Sequence, residues 1–148
     1  MKKRIHIPQE QRGQSLVELG ISMIVLLFLL AGVINFGIAY YDYVAITDAA
    51  QEGALYGSIV PATDTLGTLN TTGITARVQQ SSSSPVDLTT ITPTVSTPSG
   101  TCPGKPLTVT LVYYSPVTMP IVGIFTNTIK LTASATSTIL TSLTTNCP

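Results

Sequence analysis

Three residues near the N-terminus have types and spacing that could do chemistry: Gly13, Gln14 and Glu18. Cutting the chain after Gly13 would create an α-amino group on Gln14, four residues before the Glu18 carboxylate. Within one helix these groups meet only loosely. Between neighbouring chains, the amine of one can neutralise the carboxylate of the next in a medium of low dielectric. The spacing therefore favours a segment that is first cut and then assembled.

The element that must position Glu18 is an uncharged stretch from Leu19 to Tyr41. As a helix it spans roughly 34 Å at about 1.5 Å per residue, which is enough to cross a bilayer. A cleavable secretory signal has an apolar region of about 7 to 15 residues, and a core helix in contact with water has a polar side, so both are disfavoured. A plain membrane anchor is a further alternative. Glu18 argues against it, because carboxylates in such segments usually mark functional sites.

Basic residues are distributed unevenly around this stretch. Four precede it (Lys2, Lys3, Arg4, Arg12) and three follow it (Arg77, Lys105, Lys130). The positive-inside rule then predicts a single-pass protein of the cytoplasmic membrane, with its N-terminus inside and its C-terminal domain outside. Assembly into a filament would carry the chain outside the cell.

Beyond the membrane the helix is expected to continue, so that it covers residues 14–57. Small residues recur at every fourth position, namely Ala45, Ala49, Gly53 and Gly57. Such a ridge allows another backbone to approach closely. Two interpretations are open: the ridge seats the chain's own outer domain, or it forms a face between subunits.

Two acidic residues on this part of the helix, Asp48 and Glu52, are four positions apart. Like charges at this spacing are mildly destabilising, so a nearby cation is expected. The candidates are Arg77, Lys105 and Lys130.

After the helix the composition shifts towards Thr, Ser and Pro. Residues 58–106 are predicted to be a connecting region, with one short helix at Ile74 to Gln80. Residues 107–148 are predicted to form a β-strand region. Leu107 to Tyr114 alternates in a way that indicates cover on both faces, and Ile129 to Ile139 indicates a half-buried strand.

Two weaker elements complete the prediction. Val86 to Val95 is expected as an edge strand, because Pro93 interrupts it, and Pro116 to Phe125 is expected as a loop. The predicted fold class is α+β: a long N-terminal transmembrane and extended helix followed by a small antiparallel sheet.

The two cysteines, Cys102 and Cys147, both lie in the part expected outside the cytoplasm. An even count in a small exported domain predicts one disulfide. Closing a loop of about 45 residues would contribute on the order of 4 kcal/mol in the chain-entropy description.

The sequence contains few residues that could carry out catalysis. The one histidine, His6, lies before Gly13, so neither a Ser-His pair nor a histidine metal site is expected after the cut. A phosphate-binding glycine loop is absent from the sequence. Charged residues make up 9% of the chain and balance to zero, which disfavours a nucleic-acid partner. No enzyme activity, cofactor or metal is expected.

The run Gly13, Gln14 and Glu18 resembles the processing site of type IV prepilins, in which a membrane peptidase cuts after the glycine and glutamate is the fifth mature residue. The chain is more closely similar to the TadE-like minor pseudopilins of the tight-adherence (Tad) pilus. It carries their opening at Gly13 to Glu18, their membrane-helix motif at Asn35-Phe36-Gly37, and their "AAxEGA" turn at Ala49 to Ala54, which includes Glu52-Gly53-Ala54. The arginine usual beside this turn is replaced by Gln51 and Leu55.

The resemblance implies a minor pseudopilin that is cut between Gly13 and Gln14 and helps to assemble a Tad or type IV-like pilus used in surface adherence. Residues 1–13 would be a cytoplasmic leader. Expected partners are the prepilin peptidase, other pilins or pseudopilins, the pilus assembly platform and membrane lipid. Two alternatives are the principal subunit of a type IV-like filament and an uncleaved single-pass surface protein. The major pilins of such systems are far shorter and tend to have tyrosine where this chain has Leu19.

Overall fold

The computed structural model describes residues 10–63, 67–82, 84–117 and 127–141. Its dominant element is helix α1, Glu10–Ile59, with 50 residues. At 1.5 Å per residue α1 is about 75 Å long. The helix passes through Gly13 without a break and extends two residues beyond the predicted end at Gly57. Pro61, which cannot continue the helix, follows its end closely.

A second helix, α2, covers Thr71–Ser81, so the predicted short helix is present and begins earlier than expected. Its start is fixed by Asn70, whose side-chain oxygen accepts a hydrogen bond of 3.0 Å from the Gly73 N–H. This satisfies one of the amide groups that a helix N-terminus leaves without a partner.

Three antiparallel strands form one sheet in the order β1, β2, β3: Thr94–Ser96, Pro106–Pro116 and Thr128–Thr138. In the register, Leu111 faces Ala133 and Tyr114 faces Lys130. Both long strands lie where the alternating pattern predicted them. The predicted fold class, a long helix followed by a small antiparallel sheet, is confirmed.

The two helices and one face of the sheet share a single core. Its members are the buried apolar side chains of α1, α2, the residues before β1, and the inner faces of β2 and β3, including Ile46, Ala50, Ile74, Val78, Leu88, Leu107, Val109, Leu111, Ala133 and Ile139. Each fully buried aliphatic side chain contributes roughly 1.5–3 kcal/mol. This cluster anchors the sheet to the C-terminal part of α1.

Two details of the predicted sheet were wrong. Most of Val86 to Val95 is not a strand: Leu88–Thr90 is a 3-10 turn capped by the Asp87 side chain, and β1 begins only at Thr94, although at the predicted edge. The segment Leu107 to Tyr114 is covered on one face only. Val112 and Tyr114 are exposed, because the core lies entirely on the other side.

Some predictions fall outside the described residues. Most of the predicted loop from Pro116 to Phe125 is among them, as is Cys147. The disulfide between Cys102 and Cys147 therefore stays a prediction.

Candidate functional site

The N-terminal part of α1 is not packed against the rest of the chain. No described side chain from Gly13 to Tyr41 is buried, and this part is long and apolar enough to cross a membrane. The predicted span, Leu19 to Tyr41, lies wholly within it. Apolar side chains exposed over such a length require lipid or neighbouring helices around them. One apolar helix of this kind fits a single-pass membrane protein.

Glu18 lies on this exposed part, one helical turn after Gln14. Its carbonyl oxygen accepts a hydrogen bond of 2.8 Å from the Ser22 hydroxyl. Within the described part of the chain, no side chain donates to the Glu18 carboxylate. Gln14, Val17, Ile21 and Ser22 line a shallow groove beside it. The carboxylate is therefore open to a cation supplied from outside the subunit.

The motif Asn35-Phe36-Gly37 lies further along the same exposed part. The Asn35 amide donates to the Ala31 carbonyl at 3.0 Å. Phe36 is 73% exposed and stacks on Tyr40 with ring centroids 6.4 Å apart. A Cβ added at Gly37 would meet no atom within 4 Å. Neither Phe36 nor Gly37 thus serves the packing of the outer domain.

The ridge of small residues has a different environment. Ala49, Gly53 and Gly57 are buried and Ala45 is half-buried. A Cβ at Gly53 would lie 2.5 Å from Cγ2 of Val78, and one at Gly57 would lie 2.9 Å from Cδ1 of Ile74. The structure places the ridge against α2 and β2 of the same chain. This arrangement agrees with the interpretation in which the ridge seats the chain's own outer domain, rather than forming a face between subunits.

Arg77 is the cation that reaches the acidic pair on α1. Its Nη2 and Nε donate to Oε2 of Glu52 at 2.7 and 3.0 Å. Both side chains are about half exposed, and exposed pairs of this kind contribute roughly 0–1 kcal/mol. The cation that pairs with the Glu-Gly-Ala turn thus comes from α2. The positions beside the turn on α1, where arginine is usual, hold the uncharged Gln51 and Leu55.

The comparison with known families concerns this helix. Residues 13–55 match the family model described as TadE-like protein. Over these residues the long helix is similar to TadE-like proteins. The TadE-like segment starts at the glycine of the predicted cut and includes Glu18, Asn35-Phe36-Gly37 and Glu52-Gly53-Ala54. It supports involvement in a Tad pilus and association with other pilin-type proteins. No curated protein and no solved structure matches the chain.

The sequence analysis missed a buried polar contact on α1. The contact lies where the exposed apolar part of the helix ends and the part packed under the sheet begins. Asp42 is 5% exposed, and its Oδ2 accepts a hydrogen bond of 2.6 Å from the hydroxyl of Ser115, which is 1% exposed. Burial, and secondarily the negative charge of Asp42, raise the pKa of the neighbouring Tyr113 phenol. A lone acid directly after the apolar stretch was the available signal.

Metal chemistry has no site in the described ranges, 10–63, 67–82, 84–117 and 127–141. They contain no group of three or more His, Cys, Asp or Glu side chains that could hold a metal ion. The Asp87 carboxylate is already used locally: it accepts hydrogen bonds from the Thr89 hydroxyl and the Thr89 N–H, which lower its pKa.

Proposed function

We propose that the chain is a minor pseudopilin, cleaved after Gly13 by a prepilin peptidase, that takes part in assembling a Tad-type pilus used in surface adherence. The observation that carries the proposal is the division of α1 into two parts. The part from Gly13 to Tyr41 buries none of its side chains and leaves Glu18 exposed, whereas the later part is packed under the sheet. The first part is free to contact other subunits.

The cut would change the charge at the edge of the apolar stretch. It removes the basic leader and leaves a new α-amino group on Gln14, close to Glu18. An unpaired carboxylate is costly near the bilayer interior, and a neighbouring subunit's amine would offset that cost. Because the pair forms only in one relative position of two helices, it would set the register between subunits. No side chain of the described residues competes for the carboxylate.

The proposed topology places the leader in the cytoplasm, where the peptidase and the assembly platform would act, and the sheet outside. The excess of basic residues before the apolar stretch supports this orientation. Before assembly the subunit would be held in the membrane by α1, with lipid around the exposed part.

The test is complementation of cells from which the gene has been deleted. We expect the wild-type chain to restore pili and adherence, and Glu18→Ala to reach the membrane in normal amounts without restoring them. The matched control is Asp48→Ala, which removes an exposed acid from the same helix but outside the apolar stretch. Normal pili with Glu18→Ala would exclude the pairing role of Glu18.

The principal-subunit alternative shares every feature of the exposed helix. It differs in abundance, so the fraction of this chain in purified pili separates the two. A minor pseudopilin makes up a small share of the filament or is absent from it, whereas a principal subunit makes up most of its mass. The third hypothesis, an uncleaved single-pass surface protein, requires that residues 1–13 be retained.

A further inference from the structure

The hairpin formed by β2 and β3 points back along α1 towards the apolar stretch. Leu107, at the start of β2, lies beside Gly57, and Val109 lies beside Gly53. Ser115, near the end of β2, bonds Asp42. Strand β2 therefore runs antiparallel to α1, and the turn end of the hairpin is the end nearest the membrane.

The depth of this end can be estimated from the hydrogen bond to Asp42. Asp42 is the first charged residue after the uncharged stretch, and Ser115 is fixed at its level. Val117 lies two residues further, about 7 Å along the strand, which corresponds to the level of roughly Ile38 on α1. The ladder is still closed there, because the Val117 N–H donates to the Asn127 carbonyl at 2.9 Å.

A hydrocarbon core about 30 Å thick takes about 20 helical residues, so a span starting at Leu19 ends near Ile38. The turn end of the hairpin and the end of the span thus lie at the same level. In a bilayer spanned from Leu19 to about Ile38, this end of the hairpin lies at the level of the membrane surface in either orientation of the chain.

The side chains on the outer face of the sheet change along its length in the same direction. Away from the membrane this face carries hydroxyl residues, among them Thr108, Thr110, Ser134 and Thr136. Towards the membrane it carries Val112 and Tyr114, which are 38% and 59% exposed, and Lys130 opposite Tyr114. Ile129 pairs with Ser115, so its side chain lies on the other face of the sheet, and at this end of the sheet it is 42% exposed.

Tyrosine rings and lysine side chains are favoured at the level of lipid headgroups, where an apolar body meets lipid and a polar tip meets water. Tyr40 and Tyr41 of α1 are exposed at the same level. The residues that connect β2 to β3, 118–126, contain no charged side chain in the sequence. The chemistry of this end suits a lipid surface better than water.

We propose that Tyr114, Ile129 and Lys130 form a lipid-contacting rim that rests in the headgroup region of the membrane while the subunit is held there. The ring of Tyr114 and the side chain of Ile129 contact the upper acyl region, and the ammonium group of Lys130 contacts lipid phosphate. Together with α1, the rim gives the outer domain two points of attachment and so fixes its orientation on the bilayer.

The chain has no tryptophan, so a single tryptophan reports its own environment without background. Tyr114→Trp places the reporter in the rim. Thr138→Trp is the matched control: it lies on the same exposed face, eight residues from Lys130, about 26 Å further from the membrane end. Val112→Trp provides an intermediate position and a second reporter should Tyr114→Trp fail to fold.

The full chain is reconstituted in vesicles of phosphatidylcholine and phosphatidylglycerol, with and without bromine on the acyl chains. The expected loss of emission is largest for Tyr114→Trp, smaller for Val112→Trp and absent for Thr138→Trp. Adding Lys130→Gln to Tyr114→Trp is expected to reduce the loss in anionic vesicles. Equal emission of all three reporters with and without bromine overturns the proposal. The proposal is also overturned if the Tyr114→Trp emission is protected from bromine and this protection disappears on dilution into excess lipid. A second copy of the chain would then cover the rim.

Discussion

The hydroxyl of Ser115 donates a buried hydrogen bond of 2.6 Å to the carboxylate of Asp42, and this contact joins the end of β2 to α1 at the point where the apolar stretch ends. Neither group is accessible to water as a substitute partner. The contact fixes the sheet at a defined height above the apolar part of the helix.

Ser115→Ala removes the donor and leaves a buried carboxylate without it. We expect a loss of about 1–3 kcal/mol in the free energy of unfolding of the outer domain. Urea unfolding of the full chain in detergent, followed by tryptic cleavage at Arg77 and Lys130, measures this loss. Thr132→Ala, an exposed position on β3, is the control. Equal stability of Ser115→Ala and Thr132→Ala would contradict the role of the bond.

The phenol of Tyr113 provides a pH-dependent check of the same junction. Its folded pKa is raised above the ordinary value of 10.0, first by burial and then by the charge of Asp42. Its contribution to stability is therefore fully present below that value and is lost as the pH rises through the folded pKa.

Asp42→Asn removes the charge but not the burial, so the Tyr113 pKa should fall part of the way back. Absorbance titration of tyrosinate, with Tyr113→Phe to identify the signal, tests this. Asp48→Asn is the matched control and should leave the Tyr113 titration unchanged. An unchanged titration in Asp42→Asn as well would show that the charge does not act on Tyr113.

Two glycines of α1 form a natural comparison. Gly53→Ala places a Cβ 2.5 Å from Cγ2 of Val78, so that side chain or α2 must shift, whereas Gly37→Ala adds a Cβ that meets no atom within 4 Å. We expect Gly53→Ala to destabilise the outer domain by about 1–3 kcal/mol through overpacking. Gly37→Ala should leave domain stability unchanged in the same urea assay. The reverse order would show that α2 does not approach α1 at the ridge.

The ion pair between Glu52 and Arg77 should matter little to stability. Because both groups are about half exposed, Arg77→Gln is expected to cost at most about 1 kcal/mol, and less in high salt. Lys105→Gln, an exposed lysine, serves as control. A double-mutant cycle with Glu52→Gln isolates the pair, and a coupling energy well above this bound would mean that the pair is shielded from solvent.

The parts of the fold that the sequence predicted depend on local patterns. The uncharged stretch, the four-residue spacing of small residues and the alternation in β2 and β3 each act within one element. The strand prediction for the segment from Val86 was wrong for a local reason too. Asp87 caps a 3-10 turn through Thr89, and this turn outweighs the apolar alternation.

The parts that the sequence could not predict depend on distant residues. Asp42 and Ser115 are 73 positions apart, so no local spacing signals their bond. Arg77 could not be chosen over Lys105 or Lys130 until α2 was placed against α1. The open face of β2 likewise follows from both helices packing on the same side of the sheet. The pairing of Glu18 with an amine stays a prediction, because it requires a second subunit.

The most direct test of the account is the intact mass and N-terminal sequence of the protein isolated from its native membrane. We expect a chain that starts at Gln14, and a chain that keeps residues 1–13 in cells lacking the prepilin peptidase. A chain that keeps residues 1–13 in cells with an active prepilin peptidase would contradict it.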